Sequence, residues 1–135
     1  MKSIMTTLGV DVFAAAKNQS TRLNFSTIAI SDAETEQLDA TVIELINERY
    51  RASINRLFQH DQNSTEFTAE VIIPAHIGGF TLRQFGIFDD QDHLIIIGQL
   101  DESYKASAAE GAYEDLVLHI KFELFTEDVA LIFVP

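Results

Sequence analysis

Residues 77–100, IGGFTLRQFGIFDDQDHLIIIGQL, decide how this chain folds. Two apolar runs, Phe80–Phe88 and Leu94–Leu100, flank the turn-forming cluster Asp89–Asp92. Runs of Phe, Ile and Leu that are bounded by Asp and Gly are typical of paired β-strands. The segment therefore predicts a β-hairpin, and the pair Gly78–Gly79 permits an unusual backbone conformation just before its first strand.

Further strands are predicted on both sides of this hairpin. Apolar and polar residues alternate over Phe67–Ile73, which follows the turn cluster Asp61–Ser64 and is stopped by Pro74. The same alternation runs over Leu116–Leu124, and after a short polar turn the chain continues with the apolar run Val129–Val134. A period of two residues predicts a half-buried strand, so we expect a last hairpin here.

The N-terminal third combines a helix with a first strand. Apolar residues of segment 5–17 share one helical face, with Thr6 or Thr7 as the N-cap. Leu23–Ile30 is rich in Phe, Thr and Ile and predicts a strand. The acidic and polar stretch Ser31–Asp39 then predicts a surface loop.

The stretch Leu38–Phe58 is ambiguous, because its first half fits a helical period and its second half fits the period of a strand. We interpret it as a short helix over Leu38–Asn47 followed by a strand over Arg49–Gln59. That strand would pair with Phe67–Ile73 as a hairpin.

These elements predict an α+β fold with about seven strands and one or two short helices. Because most neighbouring strands are joined by hairpin turns, the sheet should be mainly antiparallel. No repeat or linker divides residues 1–135, so we expect one domain. Residues Asp101–Asp115 have no clear period and form a long predicted loop, which is typical of a functional or mobile segment.

Composition excludes several classes of function. The net charge of −12 repels phosphate backbones and anionic lipids, so neither nucleic acid nor a membrane surface is expected as a partner. No apolar run approaches the ~18 residues of a membrane-spanning helix, and the N-terminus does not have the pattern of a signal peptide. The absence of cysteine excludes disulfides and thiolate zinc sites, and it suits assembly in a reducing cytoplasm.

The motifs of catalysis and cofactor binding are missing as well. The four histidines stand at least 16 residues apart, which is not the spacing of a metal site. Gly78–Gly79 has no third glycine and no following Lys-Ser/Thr pair, so it does not form a phosphate loop. No serine stands in a nucleophile elbow. We therefore expect no cofactor, no metal, no catalytic residue and no enzymatic activity, and we expect a binding or structural module instead.

Four sequence segments, in their order along the chain, carry a resemblance to a known family. They are Asn47–Asn55 (NERYRASIN), Phe67–Pro74 (FTAEVIIP), Ile77–Asp89 with its paired glycines, and Glu102–Lys105 followed by Ala109–Gly111. Together they resemble the N-terminal domain of phage tail-collar fibre proteins of contractile-tailed phages and tailocins. Arg83 and Gly86 stand at matching places, and weaker similarity extends over essentially the whole chain. The acidic segment 31–36 departs from the glycine-rich, proline-containing stretch of that family, so the conformation of this loop cannot be carried over.

The resemblance implies a structural role in a virion tail, assembled in the bacterial host cytoplasm. Such a domain docks on a baseplate or tail-formation protein and so contributes to host adsorption, and in the complete fibre three copies emerge together as a homotrimer. Fibres of this family continue into a shaft and a receptor-binding tip, so host recognition is not expected within these residues.

Partner contact is predicted for the long loop and for the rim around the glycine pair. The candidate contact residues are Phe80, Tyr104, Lys105, Glu110 and Gly111. A purely structural interpretation is open beside it: it assigns Gly78, Gly79 and Gly86 to backbone geometry and Phe80, Phe85 and Phe88 to core packing. Two other functions also stay open, a glycan-recognising receptor-binding module and a tail-associated glycan hydrolase.

Overall fold

A computed structural model describes residues 2–19, 24–35, 37–61 and 65–123 of the chain. The described elements, in chain order, are β1 (Lys2–Met5), α1 (Thr7–Asn18), β2 (Phe25–Ser31), β3 (Glu48–Ser53), β4 (Arg56–Gln59), β5 (Glu66–Ile73), β6 (Phe80–Asp89), β7 (Leu94–Lys105), a 3₁₀ turn (Ala108–Glu110) and β8 (Leu116–Glu123). They confirm an α+β fold with one α-helix near the N-terminus, and they contain eight strands where the sequence predicts about seven.

The strands form two antiparallel sheets. The larger sheet has the order β1-β7-β6-β2-β3, and the smaller one has the order β4-β5-β8. The predicted hairpin of β6 and β7 is confirmed, with Phe85 opposite Gly98. At its turn the buried Asp89 carboxylate accepts hydrogen bonds from the backbone N–H groups of Gln91 and His93, at 3.0 and 2.7 Å.

The main core lies where residues of both sheets and of α1 meet. Strand β5 contributes its odd-numbered residues from Phe67 to Ile73, as the alternation in its sequence predicts. Aromatic rings join the layers. The ring centroid of Phe13 in α1 lies 6.2 Å from that of Phe25 in β2, and the centroid of Phe25 lies 6.3 Å from that of Phe122 in β8. Each such contact stabilises the core beyond the area it buries, because tilted and edge-on ring pairs attract each other.

A β-bulge divides β6 into two halves. Leu82 is opposite Ser103 and Gln84 is opposite Gln99, so Arg83 alone faces three residues of β7. The core-facing residues are therefore Phe80 and Leu82 before the bulge and Phe85 and Ile87 after it. A change of parity of this kind places two consecutive side chains, Arg83 and Gln84, on the outer face of the sheet.

The predicted strand Arg49–Gln59 is wrong as a single element, because β3 and β4 belong to different sheets. The chain changes sheet at Ile54 and Asn55: the N–H of Ile54 donates to Ser26 O of the larger sheet, and that of Asn55 donates to Glu70 O of the smaller one. Hydrogen bonds from the Asn55 amide and then from His119 lower the pKa of the largely buried Glu70. The predicted pairing with β5 is confirmed only for β4.

The helix predicted over Leu38–Asn47 is wrong, because the structure describes turns and bends there. The Asp39 carboxylate accepts hydrogen bonds from the N–H and the hydroxyl of Thr41, which offers the backbone an alternative to a helix. Asn47 adopts a left-handed φ of 54° and ends the segment. The apolar residues Leu38, Val42 and Leu45 nevertheless pack on the outer face of the larger sheet.

Three other boundaries differ from the sequence interpretation. Lys2–Met5 form a strand that pairs with β7, so the helix begins at Thr7 and not at residue 5, with Thr6 Oγ1 accepting the N–H of Gly9 as its cap. Ser31 ends β2 and is buried, and the first residues of the predicted loop Asp101–Asp115 continue β7 as far as Lys105. The predicted strand Val129–Val134 lies outside the described residues.

Gly9 sets how closely α1 approaches the larger sheet. A Cβ atom at this position would lie 2.4 Å from the carbonyl oxygen of Ile95 on β7, too close for any real contact. We expect Gly9→Ala to lower the free energy of unfolding by about 2 kcal/mol, because the backbone of β7 must shift. This sign is opposite to the gain of about 1 kcal/mol that Ala brings over Gly at an exposed helix position.

Urea denaturation of Gly9→Ala measures this effect, and Ala14→Gly on the exposed face of the helix is the control. The control should lose about 1 kcal/mol through helix propensity alone. If Gly9→Ala were as stable as the parent chain or more so, α1 would not lie against β7.

Candidate docking surface

The backbone geometry before β6 requires glycine at both positions of the pair Gly78–Gly79. The N–H of Gly79 donates to Lys105 O at 2.7 Å, and Gly79 has a φ of 86°, which a side chain rarely allows. A Cβ atom on Gly78 would lie 2.4 Å from Ala106 O. The structural interpretation of these two glycines is confirmed, and their role is to bring the segment after β7 against the start of β6.

That segment continues into a tight turn formed by residues 107–111. We call these residues, together with Tyr104, the Tyr104 turn. Glu110 Oε1 accepts hydrogen bonds from the N–H and the hydroxyl of Ser107, at 3.2 and 3.3 Å. Gly111 closes the 3₁₀ helix with a left-handed φ of 96°, and its N–H donates to Ala108 O. These bonds hold an exposed stretch of the predicted long loop in a defined conformation.

Tyr104 joins this turn from the end of β7. Its hydroxyl donates to Glu110 Oε2 at 2.7 Å, while the residue is 58% exposed. The hydrogen bond from Tyr104, followed by that from Ser107, lowers the pKa of Glu110, and the same bond to Glu110 raises the pKa of Tyr104. A fixed ring with its face open to solvent is a typical anchor of protein interfaces.

Two of the predicted contact residues are not on the surface. Phe80 is 5% exposed and belongs to the core, and the guanidinium carbon of Arg49 lies 5.4 Å from the centroid of its ring. Lys105 is 6% exposed, and its Nζ donates to Ala106 O. Phe80 and Lys105 are therefore buried where β6 begins and β7 ends, and of the five predicted residues Tyr104, Glu110 and Gly111 are exposed.

Arg83 connects the bulge to the acidic segment after β2. Its Nη1 donates to Asp32 O at 2.8 Å, and its Nε lies 3.5 Å from Glu102 Oε1. Gln84 and Gln99 donate from the same face of the sheet to backbone oxygens of residues 33 and 35, at 2.7 and 3.0 Å. A cleft of about 520 Å³ lies among these side chains. The sequence marks Arg83 only as a family position and does not reveal this network, because hydrogen bonds to backbone oxygens leave no mark in a sequence.

Comparison with known proteins identifies the family of this chain. Residues 1–131 match the family described as "Phage tail-collar fibre protein, N-terminal". The chain belongs to this family. It is also 35% identical over 114 residues to a "Probable tail fiber protein" of Escherichia phage P2. The aligned segment covers 82% of this chain and 17% of that relative. No solved structure matches the chain.

Membership makes this chain a structural domain of a phage tail fibre. Within the described parts of the tail-collar domain, no group of three or more His, Asp or Glu side chains is placed to hold a metal ion. No described helix is long and apolar enough to cross a membrane. What the Tyr104 turn offers is an aromatic face, a carboxylate and exposed backbone, which are the means of binding a partner.

The hydrogen bond from Tyr104 makes a testable contribution to the pKa of Glu110 in the tail-collar domain. Because the pKa of Glu110 in the folded state lies below the ordinary value of 4.5, its stabilising contribution is fully present above pH 4.5 and is lost as the pH falls through the folded pKa. Tyr104→Phe removes the first of the causes, so the pKa of Glu110 should rise toward 4.5.

An NMR titration of the Glu110 side-chain carbonyl in both proteins measures this shift. Glu70, whose pKa is lowered by other partners, is the internal control and should titrate identically in the two proteins. An unchanged pKa of Glu110 in Tyr104→Phe would contradict the hydrogen bond between the two side chains.

Proposed function

We propose that this tail-collar domain attaches a tail fibre to the baseplate of a contractile tail, and that the Tyr104 turn is part of the docking surface. The observation that supports the proposal is the exposed Tyr104 ring, which is held in place by its hydrogen bond to Glu110. Attachment of the fibre would contribute to host adsorption without any chemical turnover.

The rigidity of the turn suits a docking surface. Binding costs entropy for every side chain and loop that an interface must order, so a turn that is already fixed binds at lower cost. Ser107, Glu110 and Gly111 fix the backbone, and Glu110 also fixes the tyrosine ring. The two buried candidates contribute indirectly, because Phe80 and Lys105 support the strand ends from which the turn projects.

The partner in this proposal is a baseplate or tail-formation protein, and three copies of the domain assemble in the complete fibre in the virion tail. The net charge of −12 opposes the approach of free copies to one another. A trimer of such domains therefore needs an apolar contact or a basic partner to hold it together. The fibre would be assembled in the cytoplasm of the bacterial host.

A glycan-recognising module and a glycan hydrolase are the two other candidate functions. An aromatic platform for sugars is commonly built from neighbouring exposed rings. The ring contacts among the described residues join phenylalanines of the core, while Tyr104 and Tyr113 are exposed without a ring contact to each other. This arrangement favours the docking function over either of the other two.

The docking role of Tyr104 can be tested by substitution. We expect Tyr104→Ala to weaken binding to the baseplate proteins encoded alongside the fibre by about tenfold or more, since buried tyrosines are common hot spots of interfaces. The thermal midpoint should stay nearly unchanged, because the ring is mostly exposed in the free domain. Binding is measured by interferometry with the coexpressed and purified baseplate proteins.

Two control variants separate the causes of a loss in affinity. Tyr104→Phe keeps the ring but removes the hydrogen bond that fixes it, so its affinity should lie between those of the parent domain and Tyr104→Ala. Val117→Ala changes an exposed residue of the smaller sheet and should have no effect. A large loss of thermal stability in Tyr104→Ala would make this residue part of the core. Full affinity of Tyr104→Ala with unchanged stability would remove the Tyr104 turn from the docking surface.

A further inference from the structure

A second surface of the domain exposes apolar side chains. In residues 37–47, which we call the isoleucine loop, Ile43 is 68% exposed and Ile46 is 65% exposed. They stand three residues apart, and the other isoleucines that the structure describes are buried or half-buried. Exposed apolar side chains that belong to one short segment are candidates for contact with a partner.

The isoleucine loop is held firmly to the larger sheet. Leu45 is buried against Phe88 and Leu94 of the outer face. The Ser31 hydroxyl donates to Ile46 O, and the N–H of Thr7 donates to Ala40 O at 2.7 Å. The exposed isoleucines are therefore presented from a fixed backbone, and a partner that covers them has little ordering cost to overcome.

A cleft of about 420 Å³ opens beside Ile43. Arg51 and Phe88 line it, with the guanidinium carbon 4.0 Å from the centroid of the ring. Glu44, Glu48 and Asp92 also line the cleft, and Arg51 pairs with Glu48 and Asp92 at 2.8 and 2.6 Å. The surface thus combines apolar side chains, a flat cation and an excess of carboxylates.

The charge of this surface determines what can cover it. Residues 32–48 contain six acidic residues and no Lys or Arg. A second copy of the chain would bring its own net charge of −12 against these carboxylates. A basic partner would instead be attracted and oriented by them, because complementary charge raises the rate and the specificity of association.

We propose that the isoleucine loop and its cleft form a second docking site, which binds a basic segment of a partner protein. Apolar side chains of that segment cover Ile43 and Ile46, and its Lys or Arg side chains meet Glu44, Glu48 and Asp92. The residues of this site are distinct from those of the Tyr104 turn, so it does not depend on the docking function proposed for that turn.

Short synthetic peptides of equal length test the combination of charge and apolar contact. In the first, Lys alternates with Leu; in the second, Lys alternates with Ser; in the third, Glu alternates with Leu. Titrated into the ¹⁵N-labelled domain, the Lys/Leu peptide should shift the amide signals of residues 42–48 and 92. It should bind about tenfold more tightly than the Lys/Ser peptide, and the Glu/Leu peptide should not bind.

Variants then locate the site on the protein. Ile43→Ser combined with Ile46→Ser should weaken binding of the Lys/Leu peptide about tenfold, and Glu44→Lys should weaken it independently. The matched control combines Val10→Ser with Val117→Ser, which removes two exposed apolar residues elsewhere and should leave the affinity unchanged. Because all these side chains are exposed, each variant should retain the thermal midpoint of the parent domain.

Several results would overturn the proposal. Equal binding of the Lys/Leu and Lys/Ser peptides would mean that charge alone attracts them, and amide shifts spread over all acidic segments would mean the same. Unchanged affinity in the double isoleucine variant would exclude the loop as the site. Self-association of the parent domain in light scattering, abolished by that double variant, would identify a second copy of the chain as the occupant.

Discussion

The bulge at Arg83, where one residue of β6 faces three of β7, fixes which side chains of β6 face the core. Without the change of parity, Phe80 and Leu82 could not face the same core as Phe85 and Ile87. The bulge also places Arg83 and Gln84 side by side on the outer face, where they hold the acidic segment after β2. One irregularity therefore completes the core on one side of the sheet and organises a surface on the other.

Strands that bury every second residue can be predicted from the sequence, because burial on one face is what produces the alternation. Strand β5 belongs to this class, with its odd-numbered residues from Phe67 to Ile73 in the core. The hairpin of β6 and β7 is predicted in another way, by two apolar runs and the turn-forming cluster between them. Strand β1 cannot be predicted, because four residues carry too little pattern and its partner β7 lies more than 90 residues away in the chain. The isoleucine loop has the period of a helix because Leu38, Val42 and Leu45 do face the sheet, yet periodicity indicates which residues are buried and not the backbone that buries them.

The candidate site can be predicted in part for a related reason. The family resemblance directs attention to the segment around Tyr104, and the structure gives that segment a fixed turn. The resemblance does not indicate that Lys105 is buried. The acceptor of its ammonium group, Ala106 O, is a backbone atom of the kind present at every position. Nor does the resemblance identify Ile43 and Ile46 as exposed, because an apolar residue in a periodic segment is ordinarily assigned to the core.

In the two docking roles proposed above, the acidic character of the domain contributes to the choice of partner. Carboxylates lie at the Tyr104 turn and at the isoleucine loop, and each set stands beside side chains that would be covered on binding. Exposed apolar groups alone would also attract other copies of the domain. The surrounding negative charge opposes such contacts and favours a basic partner, so selectivity arises from repulsion as much as from attraction. In these proposed roles, the combination allows apolar side chains to remain exposed until a basic partner covers them.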